Sequence, residues 1–190
     1  MTPPQVLVFA GSLRADSLHR KLARAALAPL RDAGGSPRYV ELRDYPMPLY
    51  DGDLEVAEGM PDSVRQLREV IQNADALAIA SPEYNGSFSP LVKNVVDWLS
   101  RPVPGERPLA VYNGKVAGLL SGSPGQGGGR RGLRHLRELL EMIGVRVIAE
   151  EVIIPRASQA FDREGRLTRE ADAELLGLWS RALVSASSGK

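Results

Sequence analysis

VLVFAGSLRADSLHR, residues 6–20, decides how the rest of the chain is read. Val6-Leu7-Val8-Phe9-Ala10 is an apolar run of strand character. Gly11 breaks it, and Ser12-Leu13-Arg14-Ala15-Asp16-Ser17 forms a polar turn. Leu18, Leu22, Ala25, Ala26 and Leu30 then share one helical face. The turn places two hydroxyls and a guanidinium where a helix begins. First-turn amides of a helix lack internal partners, and its dipole favours negative charge there. Ser12 and Ser17 can donate hydrogen bonds and Arg14 can fork onto two oxygens, which points to a phosphate pocket. The plainer reading stays open at this point: Ser17 or Asp16 as a helix N-cap, Arg14 as a solvated side chain. No Walker A pattern occurs, so a nucleoside triphosphate with magnesium is not indicated.

The rest of the chain repeats this unit. Gly34-Gly35 ends the first helix, and residues 36–42 read as a second strand. Prolines at 46 and 48 bar regular structure from residues 43–51, yet Tyr45, Met47, Leu49 and Tyr50 need cover. Residues 61–73 are helical by the spacing of Val64, Leu67, Val70 and Ile71, and residues 74–80 form a short apolar strand. Ser89 and Pro90 open a further helix through Leu99. Residues 116–120, 131–143 and 145–154 supply strand, helix and strand. A longer connection with a turn at 162–165 follows, and Thr168 is read as the cap of a last helix ending near Ala186. Strand and helix alternate with short connections, which predicts one α/β domain over residues 1–190: a parallel sheet covered on both faces. With the order 2-1-3-4-5, the loops after strands one, three and four meet at one crevice, where such sheets bind ligands.

Composition narrows the chemistry. The net charge of +1 argues against a broad nucleic-acid surface. Cysteine is absent, so thiolate metal sites, disulfides and cysteine nucleophiles are excluded together, and electron transfer would need a bound cofactor. No signal peptide and no membrane-length apolar run is visible, so the default is a cytoplasmic protein.

The second loop, Pro82-Glu83-Tyr84-Asn85-Gly86-Ser87, suits a flat polar ring edge. Asn85-Gly86 tolerates positive φ and can turn backbone groups outward, and Tyr84 can wall a ring; an ordinary turn with a surface tyrosine is the alternative. The third loop, residues 121–129, is dense in glycine and serine, as a loop approaching a ligand closely would be. Its formal G-x-G-x-x-G at Gly127, Gly129 and Gly132 lies too far from its strand, and in the wrong unit, for a dinucleotide fingerprint.

Three motifs in order carry a resemblance: Gly11-Ser12-Leu13-Arg14-x-x-Ser17; Ser81-Pro-Glu-Tyr-Asn-Gly-Ser87 with Lys93-Asn94-x-x-Asp97-Trp98; and Gly128-Gly129-x-Arg131. Together the set resembles the NAD(P)H-dependent FMN reductases of flavodoxin-like fold, in the branch with bacterial quinone, chromate and azo-dye reductases. The resemblance implies a flavodoxin-like three-layer sandwich with FMN as cofactor and NADPH or NADH as cosubstrate. It implies Ser12, Arg14 and Ser17 on the FMN phosphate, with backbone contacts from Leu13 and Ala15. Pro82, Glu83, Tyr84 and Asn85 would line the isoalloxazine edge, Gly86 shaping the turn, and Ser121, Gly122 and Ser123 would sit near its other side. His19 stands where the family usually has asparagine, as a further phosphate contact. Arg130, beside Arg131, is a candidate for an anionic acceptor or the NADPH 2′-phosphate. No side chain is expected to be catalytic, since the flavin carries the chemistry: hydride to N5, then two electrons to a quinone, azo, metal-oxyanion or free-flavin acceptor. A homodimer or homotetramer is implied as well. The rival readings are a non-enzymatic flavodoxin-type carrier, usually acidic and so disfavoured by the net charge; a serine hydrolase, which lacks a G-x-S-x-G elbow; and a regulatory FMN-binding module.

Overall fold

The computed structural model describes residues 2–188. In chain order the elements are β1 (Gln5–Ala10), α1 (Leu18–Ala25), α2 (Leu27–Asp32), β2 (Ser36–Val40), α3 (Gly52–Glu58), α4 (Asp62–Gln72) and β3 (Ala76–Ala80). A hairpin of β4 (Glu83–Tyr84) and β5 (Ser87–Phe88) follows, then α5 (Pro90–Leu99), β6 (Val116–Gly122), α6 (Arg130–Met142), β7 (Arg146–Ile154) and α7 (Glu170–Ser187). The main sheet is parallel, in the order β2-β1-β3-β6-β7, which is the expected 2-1-3-4-5 arrangement.

Alternation along the strands builds the two interiors. Leu7 and Phe9 of β1, Leu77 and Ile79 of β3, and Ala117 and Leu119 of β6 point to the face covered by α4, α5 and α6. Val6, Val8 and Ala10, Ala76, Ala78 and Ala80, and Val116 and Leu120 point to the face covered by α1, α2 and α7. Every residue of β3 is buried, as a central parallel strand requires. Burying one such aliphatic side chain contributes about 1.5–3 kcal/mol. Leu119→Ala, at a site with no exposed surface, would therefore cost about 2–5 kcal/mol with its cavity.

The local departures from expectation have physical causes. The helix expected through Leu30 divides at Ala26. Pro29 lacks the N–H that a continuous helix would direct to the carbonyl of Ala25. Strand β2 stops at Val40, and a single 3-10 turn, Leu42–Asp44, takes over. Helix α3 escapes the pattern because it fully buries no residue; its Asp51 cap, accepting the amide of Asp53 at 2.9 Å, was its only signal. Thr168 does not cap α7: Arg169 holds that position, and the Thr168 hydroxyl donates to the carbonyl of Gln159. Strand β6 runs two residues further than expected and takes in Ser121 and Gly122.

The loop at 45–51 is held rather than free. Asn94 Nδ2 and Trp98 Nε1 both donate to the carbonyl of Pro48, each at 2.8 Å, and Asn94 Oδ1 accepts the amide of Tyr50 at 2.8 Å. Tyr50 then meets Trp98 edge-on, with ring centroids 5.2 Å apart. The Lys93-Asn94-x-x-Asp97-Trp98 motif is thus a clamp on that loop.

Candidate functional site

A cleft of about 350 Å³ lies at the carboxyl ends of β1, β3 and β6, within the usual size range of small-molecule sites, roughly 300–1,000 Å³. Ser12, Arg14, Ser17 and His19 line it from the first loop and α1. Pro82, Glu83 and Tyr84 line it from the second, and Gly122 and Ser123 from the third. Leu13 lines an adjoining hollow that shares Ser12, Arg14 and Tyr84. Ala15 lines neither. Asn85 and Gly86 form the turn of the β4–β5 hairpin, at φ 52° and 81°, and lie outside the cleft's lining.

The first loop is the polar wall. Ser17 accepts the amide of Arg20, so it does cap α1, and Ser12 Oγ accepts the amide of Arg14, each at 3.4 Å. Both hydroxyl protons remain available, and both side chains are buried in the wall. The amides of residues 15–19 find no partner among the described residues. The Arg14 guanidinium makes no hydrogen bond or ion pair among them either. Lys21, one turn on, pairs with Asp16 at 2.5 Å and also lines the cleft. That hydrogen bond and charge hold the Asp16 carboxyl below its usual range. Capping by Ser17 is compatible with an anion at the same helix start, because an N-cap accepts one amide and leaves the rest of the helix end open.

His19 bridges two loops. The amide of Gly122 donates to its Nε2 at 3.3 Å, which places the proton of the neutral ring on Nδ1. Nδ1–H has no partner among the described residues, on a ring that lines the cleft. Burial pushes the imidazole down to about 4, so it is neutral at neutral pH. Ser121 sits beneath, its hydroxyl donating to the carbonyl of Ser81 at 2.8 Å and lying 3.3 Å from His19 Nε2. The polar groups of Ser121 and the amide of Gly122 are thus engaged within the protein. The amide of Ser123 is engaged too, by the carbonyl of Ile154 at 3.2 Å.

Glu83 is engaged at another helix end. Its Oε2 accepts the amide of Gly132 at 3.0 Å, in the first turn of α6, where a carboxylate complements the dipole. Gly129 and Gly132 serve this packing. A Cβ at Gly129 would lie 2.0 Å from Ser121 Oγ, and one at Gly132 would lie 3.2 Å from Glu83 Cβ. Packing thus accounts for Gly129 and Gly132 of the formal G-x-G-x-x-G, whereas a Cβ at Gly127 would meet nothing within 4 Å. Sequence reading did not assign five of the lining residues to the site: Asp16, Leu18, Lys21, Pro124 and Ser158. Lys21 lies four residues after Ser17 on α1 and could have been found by that spacing; nothing local marks Ser158, which follows β7.

With this geometry in view, the comparisons are decisive. Residues 4–159 match the family described as NADPH-dependent FMN reductase. The chain belongs to the NADPH-dependent FMN reductase family. It is 39% identical to an NAD(P)H-dependent FMN reductase of Pseudomonas aeruginosa over 188 residues, covering 94% of this chain and 96% of that protein. It is 37% identical to an NADPH:quinone oxidoreductase of Arabidopsis thaliana, covering 90% of this chain and 86% of that one. Among solved structures it resembles the flavoenzyme NAD(P)H:(acceptor) oxidoreductase FerB of Paracoccus denitrificans, with a TM-score of 0.83, 29% identity and 97% of each chain covered. The flavodoxin-like fold, the oxidoreductase class and FMN with a nicotinamide nucleotide all stand on these likenesses. The site agrees with the family's cofactor. A phosphate dianion needs amides, hydroxyls and a cation converging at a helix start, and residues 12–21 bring these together. No helix among the described residues is long and apolar enough to cross a membrane.

Proposed function

We propose that this FMN reductase takes hydride from NADPH or NADH and delivers two electrons to a quinone, in two half-reactions at one cleft. FMN, when bound, supplies that chemistry through N5 of its ring. The chain's own work is to bind, orient and tune. Ser12, Ser17, the amides of residues 15–19 and Arg14 take the phosphate, with the Nδ1–H of His19 as a further donor. Pro82 and Tyr84 border the ring, and Tyr84 stays 45% exposed, as a side chain that must yield to incoming substrate would be. The Glu83 carboxylate, tied to α6, positions the hairpin, and Ser121 supports the floor through Ser81. The carrying observation is the row of partnerless amides beside two buried hydroxyls and an unpaired guanidinium.

Azo dyes, metal oxyanions and free flavin are further acceptors suggested by the branch that the motifs resemble. A steady-state assay of NADPH and NADH oxidation tests the reading: turnover with a benzoquinone supports it, and absence of turnover by FMN-loaded protein contradicts it. The same assay separates an enzyme from an electron carrier, which would not turn over the nicotinamide. A cytoplasmic homodimer or homotetramer completes the reading. Leu49, on the loop that Asn94 clamps, and Val56, on the following helix α3, are 79% and 89% exposed and offer the apolar surface for it. Sedimentation as a monomer at micromolar concentration would contradict the assembly.

A further inference from the structure

Three consecutive carbonyls of the first loop are held by arginines from outside the cleft. The Leu13 carbonyl accepts from Arg43 Nη2. The carbonyls of Arg14 and Ala15 accept from Arg20 Nη1 at 3.2 and 3.3 Å. In a trans peptide the C=O and the following N–H point in opposite directions. Holding carbonyls 13, 14 and 15 therefore turns amides 14, 15 and 16 the other way. The amide of Arg14 shows where that is: it points at the hydroxyl of Ser12, a residue that lines the cleft.

Arg20 has no local reason to be where it is. It lies in the first turn of α1, where a cation opposes the helix dipole. Its side chain is only 20% exposed, and its Nε is buried without an acceptor. Glu41, beyond the end of β2, compensates the charge: Arg20 Nη2 meets Glu41 Oε2 at 2.5 Å, and the Tyr39 hydroxyl donates to the same oxygen at 3.4 Å. Neither Arg20 nor Glu41 lines the cleft.

We propose that Arg20, fixed by Glu41, is a positioning residue that shapes the anion loop, facing its amides toward the flavin phosphate without touching it. The inference rests on the phosphate reading of the cleft. It also assigns Glu41 an effect of unexpected sign. As a carboxylate near an anion site, Glu41 should by charge alone weaken phosphate binding, so its removal should tighten it. As the anchor of the brace, its removal should loosen the loop and weaken binding.

The test is a fluorescence titration of apoprotein with FMN and with riboflavin, which lacks the phosphate, on wild type, Glu41→Gln, Arg20→Met and Arg20→Lys. Wild type is expected to prefer FMN strongly. Arg20→Met should lower that preference by about tenfold or more, Glu41→Gln by severalfold, and Arg20→Lys by an intermediate factor, with riboflavin affinity unchanged within about twofold. Tighter FMN binding by Glu41→Gln would overturn the brace, as would an unchanged preference in Arg20→Met. Parallel loss of both ligands would assign Arg20 to general stability and also overturn it. Should Arg20→Met not fold, the sign of the Glu41→Gln effect decides. A wild type without preference for FMN over riboflavin would sink the phosphate reading itself, which is a distinct result.

Discussion

The amide of Gly122 donates to His19 Nε2 at 3.3 Å, tying the first helix to the end of the fourth sheet strand. The contact joins two of the three loops that form the cleft. It also requires a neutral imidazole, because a protonated ring has no acceptor to offer. Burial already disfavours the charged form, from an ordinary 6.5 down to about 4. Below about 6.5 the unfolded chain takes up a proton that the folded chain refuses until about 4. Stability should therefore fall as pH drops through that window and this loss should level off below it. The slope from this one group is at most about 1.4 kcal/mol per pH unit. Denaturant unfolding of wild type and His19→Gln across the window checks it: the glutamine amide oxygen reaches the Nε2 position as an acceptor that does not titrate, and its curve should lack this slope. Equal slopes in the two proteins would count against it.

In the proposed site Arg14 bears on the phosphate alone. Arg14→Ala should weaken FMN binding by roughly 2–4 kcal/mol and leave riboflavin binding unaltered. Calorimetric titration of the two flavins separates this from a surface role, for which neither affinity would change.

Gly129 is held to its identity by its conformation and its neighbour. Its φ is 90°, and a Cβ would lie 2.0 Å from Ser121 Oγ. Gly129→Ala should therefore destabilise the protein by about 1–3 kcal/mol and perturb the Ser121–His19 contact. Thermal unfolding measures the first effect. A variant of wild-type stability with impaired nicotinamide-nucleotide binding would restore the fingerprint reading.

Asn94→Leu should free the segment around Pro48. Three hydrogen bonds converge there, two from Asn94 and one from Trp98. Losing the side-chain amide leaves the Tyr50 N–H without a partner and the Pro48 carbonyl with Trp98 alone, at about 1–3 kcal/mol. Limited proteolysis should then cut near Leu49, and resistance equal to wild type would deny the clamp.

How much of this was legible in the chain depends on what each feature is made of. The strands followed from short continuous apolar runs and the helices from period-3.6 spacing, because a parallel sheet buried on both faces dictates those patterns, and the strand order followed from the doubly wound arrangement that such alternation implies. The first loop followed from hydroxyls and a guanidinium at a helix start. What stayed hidden was relational. Nothing near Glu83 says that its carboxylate ends at Gly132, and nothing near Glu41 says that it anchors Arg20. Gly129 and Gly132 looked like ligand loop because close packing against Ser121 and Glu83 selects the same residue as close approach to a ligand. Helix α3 hid for the opposite reason: none of its residues is fully buried and only Leu54 packs on the core, so no periodicity marks it.

The central claim is that residues 12–21 hold FMN and that the bound flavin exchanges electrons with a nicotinamide nucleotide and a quinone. The most direct test is the visible spectrum of the purified protein, taken anaerobically, after NADPH is added and again after a quinone. The account predicts flavin bands that bleach with NADPH and return with quinone. A colourless protein that still shows no flavin bands after incubation with FMN and gel filtration would contradict it.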